Sequence, residues 1–125
     1  MKVAGIGFRA SATLADLRQA LDLLQVQPDA LASLQAKTAA DPLKTLATER
    51  GLPLIALAEE DIAGEQTLTC SPRIKARFAT GSLAEAAALV GARQAQPGAG
   101  ARLIAPRIVT ANGLATAALA ERLDP

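Results

Sequence analysis

The chain of 125 residues has no histidine, tryptophan or tyrosine, two phenylalanines and one cysteine. Each absence removes a class of chemistry. Without imidazole there is no Ser-His or Cys-His nucleophile pair within the chain, no histidine base poised near neutral pH and no ordinary zinc site. Two phenylalanines are too few rings for a base-stacking platform, which argues against nucleic acid. A lone cysteine excludes an internal disulfide. Net charge is nearly absent as well: 13 basic side chains stand against 12 acidic ones, a balance of +1, so no surface is dedicated to nucleic acid or to an acidic membrane. Half of the residues are hydrophobic, yet charges or prolines interrupt every apolar stretch well short of the ~20 residues that a bilayer span requires. Met1-Lys2-Val3 runs straight into a strand pattern without a long apolar leader. These features predict one cytoplasmic domain over residues 1–125, long enough to bury roughly two thirds of the surface its unfolded form exposes.

What is present is well punctuated. Lys2 to Phe8, KVAGIGF, reads as a strand; Ser11 or Thr13 then caps a helix whose Leu14, Leu17, Leu21 and Leu24 recur at spacings of three and four. Pro28 breaks that pattern. Leu31 to Ala36 alternates as a second strand, with helix close behind on propensity. Asp41-Pro42 opens a helix with Asp41 as N-cap and Pro42 at the first position, Leu43, Leu46 and Ala47 turned inward, and Gly51 as the left-handed stop. Pro53 to Leu57 follows as a buried strand, and the acidic Glu59-Glu60-Asp61 group leads into a polar surface connection over Ala63 to Thr69.

The stretch from Cys70 to Leu89, CSPRIKARFATGSLAEAAAL, packs two helix starts into a short span. Ser71-Pro72 predicts a short basic helix through Arg73, Lys75 and Arg77. Ser82-Leu83-Ala84-Glu85 fits the capping box S-x-x-E, in which Ser82 satisfies one orphan amide and Glu85 bonds back to the Ser82 amide. Gly91 would end that second helix, and Gln94 to Gly100, QAQPGAG, reads as a flexible loop. Arg102 to Ala105 reads as a strand. Asn112 to Leu123 is alanine-rich enough for helix, but Asn112-Gly113 is also a turn dipeptide, and a closing hairpin is preferred. Strands alternating with one-faced helices predict an α/β three-layer sandwich: a mainly parallel sheet of about five strands, helices on both faces, with an antiparallel C-terminal edge. Ligands of such sheets gather at the carboxyl ends of the strands, near Gly7 to Ala12 and the helix starts after Asp41, Ser71 and Ser82.

Three blocks carry a resemblance to a known family. Gly5-Ile6-Gly7-Phe8-Arg9, the middle part from Lys37 through Asp41-Pro42-Leu43 to LATERGLPL, and Ser71 to Leu89 together resemble the CobE proteins of cobalamin biosynthesis and the C-terminal domain of CbiG. The likeness spans nearly the whole chain. Lys37 to Asp41 is one residue longer than the family's Lys-to-Glu spacing, and Pro106-Arg107 stands where relatives often carry lysine. The resemblance implies a role on the macrocycle route to cobalamin, where CbiG is associated with opening a lactone ring and releasing a two-carbon fragment. It implies a precorrin-like tetrapyrrole as partner, with other corrin-pathway enzymes as further partners; from the residues themselves no cofactor or metal is expected.

Precorrins are ringed by acetate and propionate carboxylates, which call for cationic and amide donors. Arg9, Lys37, Arg73 and Lys75 are the candidate clamps, and Gly5 and Gly7 either permit close backbone approach to the ligand or serve tight strand-helix packing. Ser71, Ser82 and Glu85 are first of all caps, with a ligand role secondary. Cys70 lacks a base and reads as a small hydrophobe rather than a nucleophile. The carboxylates at Glu59 to Asp61 do not face one another as an acid-base pair must, so no catalytic residue is assigned. Two functions remain open: assisting or catalysing a ring-processing step, or carrying pathway intermediates without turnover.

Overall fold

A computed structural model describes residues 1–94 and 98–123. The elements in order are β1 (Lys2–Phe8), α1 (Leu14–Leu23), β2 (Ala30–Leu34), α2 (Gln35–Thr38), α3 (Asp41–Arg50), β3 (Leu54–Leu57), α4 (Glu59–Ile62), α5 (Pro72–Phe78), α6 (Leu83–Gln94), β4 (Gly100–Val109) and β5 (Ala115–Leu123). The strands form one sheet in the order β3-β2-β1-β5-β4. β1 pairs in parallel with β2, and β2 with β3, while β5 runs antiparallel to both β1 and β4. β4 therefore points the same way as β1, and β5 is the one reversed strand. Helix α6 covers one face with Val3, Ala30, Ala32 and Ala120 beneath it; α1 and α3 cover the other over Ala4, Ile6, Leu31 and Leu119. This is the three-layer α/β arrangement expected.

Glycine sets how closely α6 lies on the sheet. A Cβ added to Gly5 would stand 1.9 Å from the Ala84 carbonyl oxygen and 2.6 Å from the Ala88 nitrogen. Both are backbone atoms of α6 and cannot swing aside. Gly91 belongs to the same contact: its added Cβ would meet that of Ala32 at 2.9 Å. The predicted stop at Gly91 is thus corrected, since α6 continues to Gln94 and uses the glycine for close packing. Alanines at 84, 86, 87, 88 and 92 bury the rest of that helix, which is apolar nearly all round because α4 and the chain after it cover its outer side.

Several boundaries move for identifiable reasons. β2 stops at Leu34, buried on both faces as a central strand should be, and the next four residues turn into α2 rather than continuing to Ala36. β3 lies at the sheet edge and is only partly buried, with Ala56 exposed, which corrects the buried strand expected there. Ala40 rather than Asp41 is the N-cap of α3, while Gly51 closes it in the left-handed conformation at φ 66°. Residues 95–97 of the expected flexible loop lie outside the described residues. β4 is longer than Arg102 to Ala105 and carries two register shifts, between Leu103 and Ala105 and between Ala105 and Ile108.

The closing hairpin forms as preferred, and Asn112-Gly113 is its turn. Gly113 takes φ 74°. The Asn112 carboxamide oxygen accepts from the Leu114 amide at 3.0 Å and from the Thr110 hydroxyl at 2.8 Å. Its nitrogen donates to the Asp16 carboxylate at 2.8 Å, tying the turn to the start of α1. Asp16 completes the capping box with Thr13, accepting the Thr13 amide at 2.9 Å. That amide first, then the Asn112 side chain, holds the Asp16 carboxyl below the usual carboxylate range.

Two predictions follow from this packing. Gly5→Ala should lower the unfolding free energy by ~3 kcal/mol in urea denaturation, because the overpacked neighbour is backbone; a loss under about 0.5 kcal/mol would show that α6 can retreat freely. For Asp16 the folded pKa lies below the unfolded one, so its contribution is present above the unfolded pKa and disappears as pH falls through the folded pKa. Asp16→Asn should therefore melt lower than the parent near neutral pH, and the gap should narrow toward pH ~3, below the ordinary carboxylate value. A gap independent of pH would contradict the cap.

Candidate functional site: a cationic cleft at the strand ends

A cleft of about 670 Å³ opens where β1 and β4 end and β5 begins. Gly7 and Phe8 of β1 and Thr116 of β5 line it, with Arg107 and Val109 from β4 and Gly113 and Leu114 from the hairpin turn. Arg9 and Ala10 follow β1 along its rim, and Lys37 reaches it from α2. Helix α5 contributes Arg73, Ile74, Arg77 and Phe78, with Ser71 just before it; Ser82 and Leu83 bring the start of α6.

Five of these residues are cations, Arg9, Lys37, Arg73, Arg77 and Arg107, and none is acidic. Outside the cleft four arginines are matched: Arg18 with Glu49, Arg50 with Asp22, Arg93 with Glu65 and Arg102 with Glu121. The Arg18–Glu49 contact is bidentate, at 2.8 and 2.7 Å, and it raises the arginine pKa and lowers the glutamate's. Among the described residues no carboxylate pairs with Arg9, Lys37, Arg73 or Arg107. Of the cleft cations only Arg77 has such a partner, Glu59 of α4 at 2.6 Å, which fastens the exposed α5 to its neighbour.

Both aromatic rings of the chain lie in this cleft, each with a cation stacked on it. Lys37 Nζ sits 4.9 Å from the Phe8 ring centroid, and the Arg77 guanidinium carbon 4.5 Å from that of Phe78. Ile74, Leu83, Val109 and Leu114 add apolar surface. A flat apolar body fringed with anions meets complementary groups here: rings and aliphatic side chains inward, guanidinium and ammonium groups around them.

Of the residues singled out in the sequence, the cleft gathers Gly7, Arg9, Lys37, Ser71, Arg73 and Ser82. Gly5, Lys75 and Glu85 do not line it. Gly5 is under α6, and its lack of a side chain serves helix-strand packing. Lys75 is exposed on α5, between the cleft-lining Ile74 and Arg77. Ser71 occupies the N-cap position of α5 without a side-chain capping bond. Cys70 is exposed and outside the cleft.

Glu85 departs most from expectation. Ser82 caps α6 as foreseen, its hydroxyl oxygen accepting the Glu85 amide at 3.2 Å. The Glu85 carboxylate does not return the bond to Ser82; it is fully buried and turned away toward other donors. One oxygen accepts the amides of Leu68 at 2.7 Å and Thr69 at 3.0 Å; the other accepts the Thr69 hydroxyl at 2.9 Å and the Arg107 amide at 2.8 Å. The capping-box spacing is real, but the tertiary structure brings better donors within reach than the helix's own first amide.

Arg77, Arg107 and the two phenylalanines were not singled out from the sequence as site residues. For Arg107 the available signal was the Pro106-Arg107 dipeptide, which stands out in the sequence as a departure from the family pattern; in the structure this cation comes from a bulged strand. For the phenylalanines it was rarity itself, since two rings in the chain converge on one place.

Known proteins resemble this chain in sequence and in fold. The sequence model of a family described as "Cobalamin synthesis G C-terminus" matches residues 2–120. No curated protein sequence matches the chain. Among solved structures, CobE, a protein from the cobalamin (vitamin B12) biosynthetic pathway, is similar with a TM-score of 0.83 and 30% identity, over 100% of this chain and 95% of that one. The cobalamin biosynthesis protein chiG from Agrobacterium tumefaciens str. C58 is similar with a TM-score of 0.69 and 32% identity, over 99% of this chain and 100% of that one. The chain belongs to the cobalamin-biosynthesis family of CobE and the CbiG C-terminal domain.

Proposed function

We propose that this protein binds a precorrin-type carboxylated tetrapyrrole in the cationic cleft and serves a ring-processing stage of cobalamin biosynthesis in the cytoplasm. The observation that carries this is the one-sided charge: among the described residues five cations, four of them without a carboxylate partner, and no carboxylate line a cleft in a chain of net charge only +1. Unmatched cations gathered in one place are an unfavourable arrangement until an anion neutralises them. A volume of about 670 Å³ suits a small-molecule site, for which roughly 300–1,000 Å³ is usual. Peripheral acetates and propionates would meet Arg9, Lys37, Arg73 and Arg107, and the macrocycle face would rest against Phe8, Phe78 and Leu83. No described helix is long and apolar enough to cross a membrane.

Whether the bound ring is changed or only held divides two readings, and the lining favours holding. Hydrolysis of a lactone or release of a fragment needs a group that takes and returns a proton. Among the described residues no carboxylate or imidazole lines the cleft; its hydroxyls on Ser71, Ser82 and Thr116 have no adjacent base in the lining, and the nearby carboxylates are engaged, Glu59 with Arg77 and Glu85 with Leu68, Thr69 and Arg107. A carrier that passes intermediates to other corrin-pathway enzymes fits these groups without further catalytic parts.

Titration with a carboxylated corrinoid such as cobyrinic acid, followed by absorbance, tests the site. Arg9→Ala, Arg73→Ala and Arg107→Ala should each weaken binding by about 1.5–3 kcal/mol, the worth of a charge-assisted hydrogen bond. Arg18→Ala and Arg102→Ala, away from the cleft, should stay within about 0.5 kcal/mol. Equal effects from both groups would sink the assignment. Saturable binding of a precorrin with an unchanged spectrum supports the carrier; a new absorption band or a released small aldehyde establishes turnover instead.

A further inference from the structure

We propose that Glu85 is the positioning residue of the cleft: its buried carboxylate fixes where Arg107 and the chain leading to Ser71 stand, without touching the ligand. The proposal rests on the ligand site described above. An ionised carboxylate buried in a protein costs several kcal/mol unless its lone pairs are matched by donors. Glu85 is 0% exposed and has four donors, drawn from two segments far apart in sequence: Leu68 and Thr69 before α5, and Arg107 on β4. It also sits in the first turn of α6, where the helix dipole favours negative charge.

The β4 partner shows why this contact concerns the cleft. Between Ala105 and Ile108 the strand places two residues, Pro106 and Arg107, opposite one residue of β5. Such a bulge frees an amide from the ladder and re-aims its side chain. Pro106 has no amide to satisfy. The freed amide of Arg107 donates to Glu85, and the Arg107 side chain lines the cleft. On the other side, Thr69 stands two residues before Ser71, whose own amide donates to the Gly81 carbonyl at 2.8 Å where the chain returns from α5. One carboxylate thus joins the bulge, the entry to α5 and the first turn of α6, three of the segments that carry cleft residues.

Glu85→Gln makes a selective test. A carboxamide keeps one accepting oxygen and replaces the other with a donor. If that oxygen stays with the Leu68 and Thr69 amides, the Thr69 hydroxyl can turn to accept, and the Arg107 amide alone loses its acceptor. Backbone amide exchange of the parent protein, followed by NMR, should show the Arg107 amide protected although it makes no ladder bond; in Glu85→Gln its exchange should accelerate ~10-fold or more while the amides of β1 and β2 remain protected. With cobyrinic acid, Arg107→Ala should weaken binding ~10-fold or more in the parent and less than about 2-fold in the Glu85→Gln background, since coupled residues do not add.

An Arg107 amide that exchanges at loop rates in the parent protein would overturn the proposal, and this measurement needs no variant to fold. Equal losses from Arg107→Ala in both backgrounds would overturn it too. If the parent protein does not bind the corrinoid at all, the function proposed for the cleft fails, while the exchange measurement still decides the Glu85–Arg107 link.

Discussion

The structure depends on the close approach of α6 to the sheet. Gly5 and Gly91 leave no side chain between helix and strands, and the alanines along α6 keep the remaining contact shallow. Dispersion attraction falls off steeply with separation, so a helix seated this low gains contact along its whole length while any added methyl must displace backbone. The same seating decides where the helix starts. Leu83 and Ser82 arrive at the end of β1 beside Gly7, and Glu85 is carried beneath the surface. A helix held further out would leave that carboxylate in water and the strand ends uncovered.

Charge is then distributed with a consistent logic. Across most of the surface, arginine and glutamate offset one another in exposed pairs that contribute little individually to stability. At the strand ends this matching stops, and the cations Arg9, Lys37, Arg73 and Arg107 stand without carboxylates among the described residues. A near-neutral protein can in this way present a strongly positive cleft, because the field is confined to one concavity. The two stacked pairs, Lys37 on Phe8 and Arg77 on Phe78, hold cation and ring together.

Much of the fold was legible in the sequence where local rules and tertiary packing agree. The leucine spacing of α1, Pro42 and Gly51 around α3, and Asn112-Gly113 in the hairpin are each local signals with a local cause, and each marks its element as expected, with α3 starting one residue early so that Pro42 takes its second position. Legibility failed where a residue answered to a distant partner. Gly91 looks like a stop, yet it is a packing position facing Ala32. Leu54 to Leu57 looks buried because it is apolar, yet its place at the sheet edge leaves it half open. Arg107 is inconspicuous in the sequence because its role depends on a register shift that no pattern of hydrophobicity announces.

By itself the sequence determined the types of most elements, the α/β class and the list of chemistries that lack of histidine removes, because propensity, capping and composition act within a few residues of the chain. It also supplied most of the cleft's cations by name. Only the tertiary structure decided that those cations share one concavity with both phenylalanines, that β5 alone reverses, and that Glu85 leaves the Ser82 amide for Leu68, Thr69 and Arg107. The reason is physical: the acceptor goes to the donors that burial leaves without water, and which donors those are is settled only when remote segments meet.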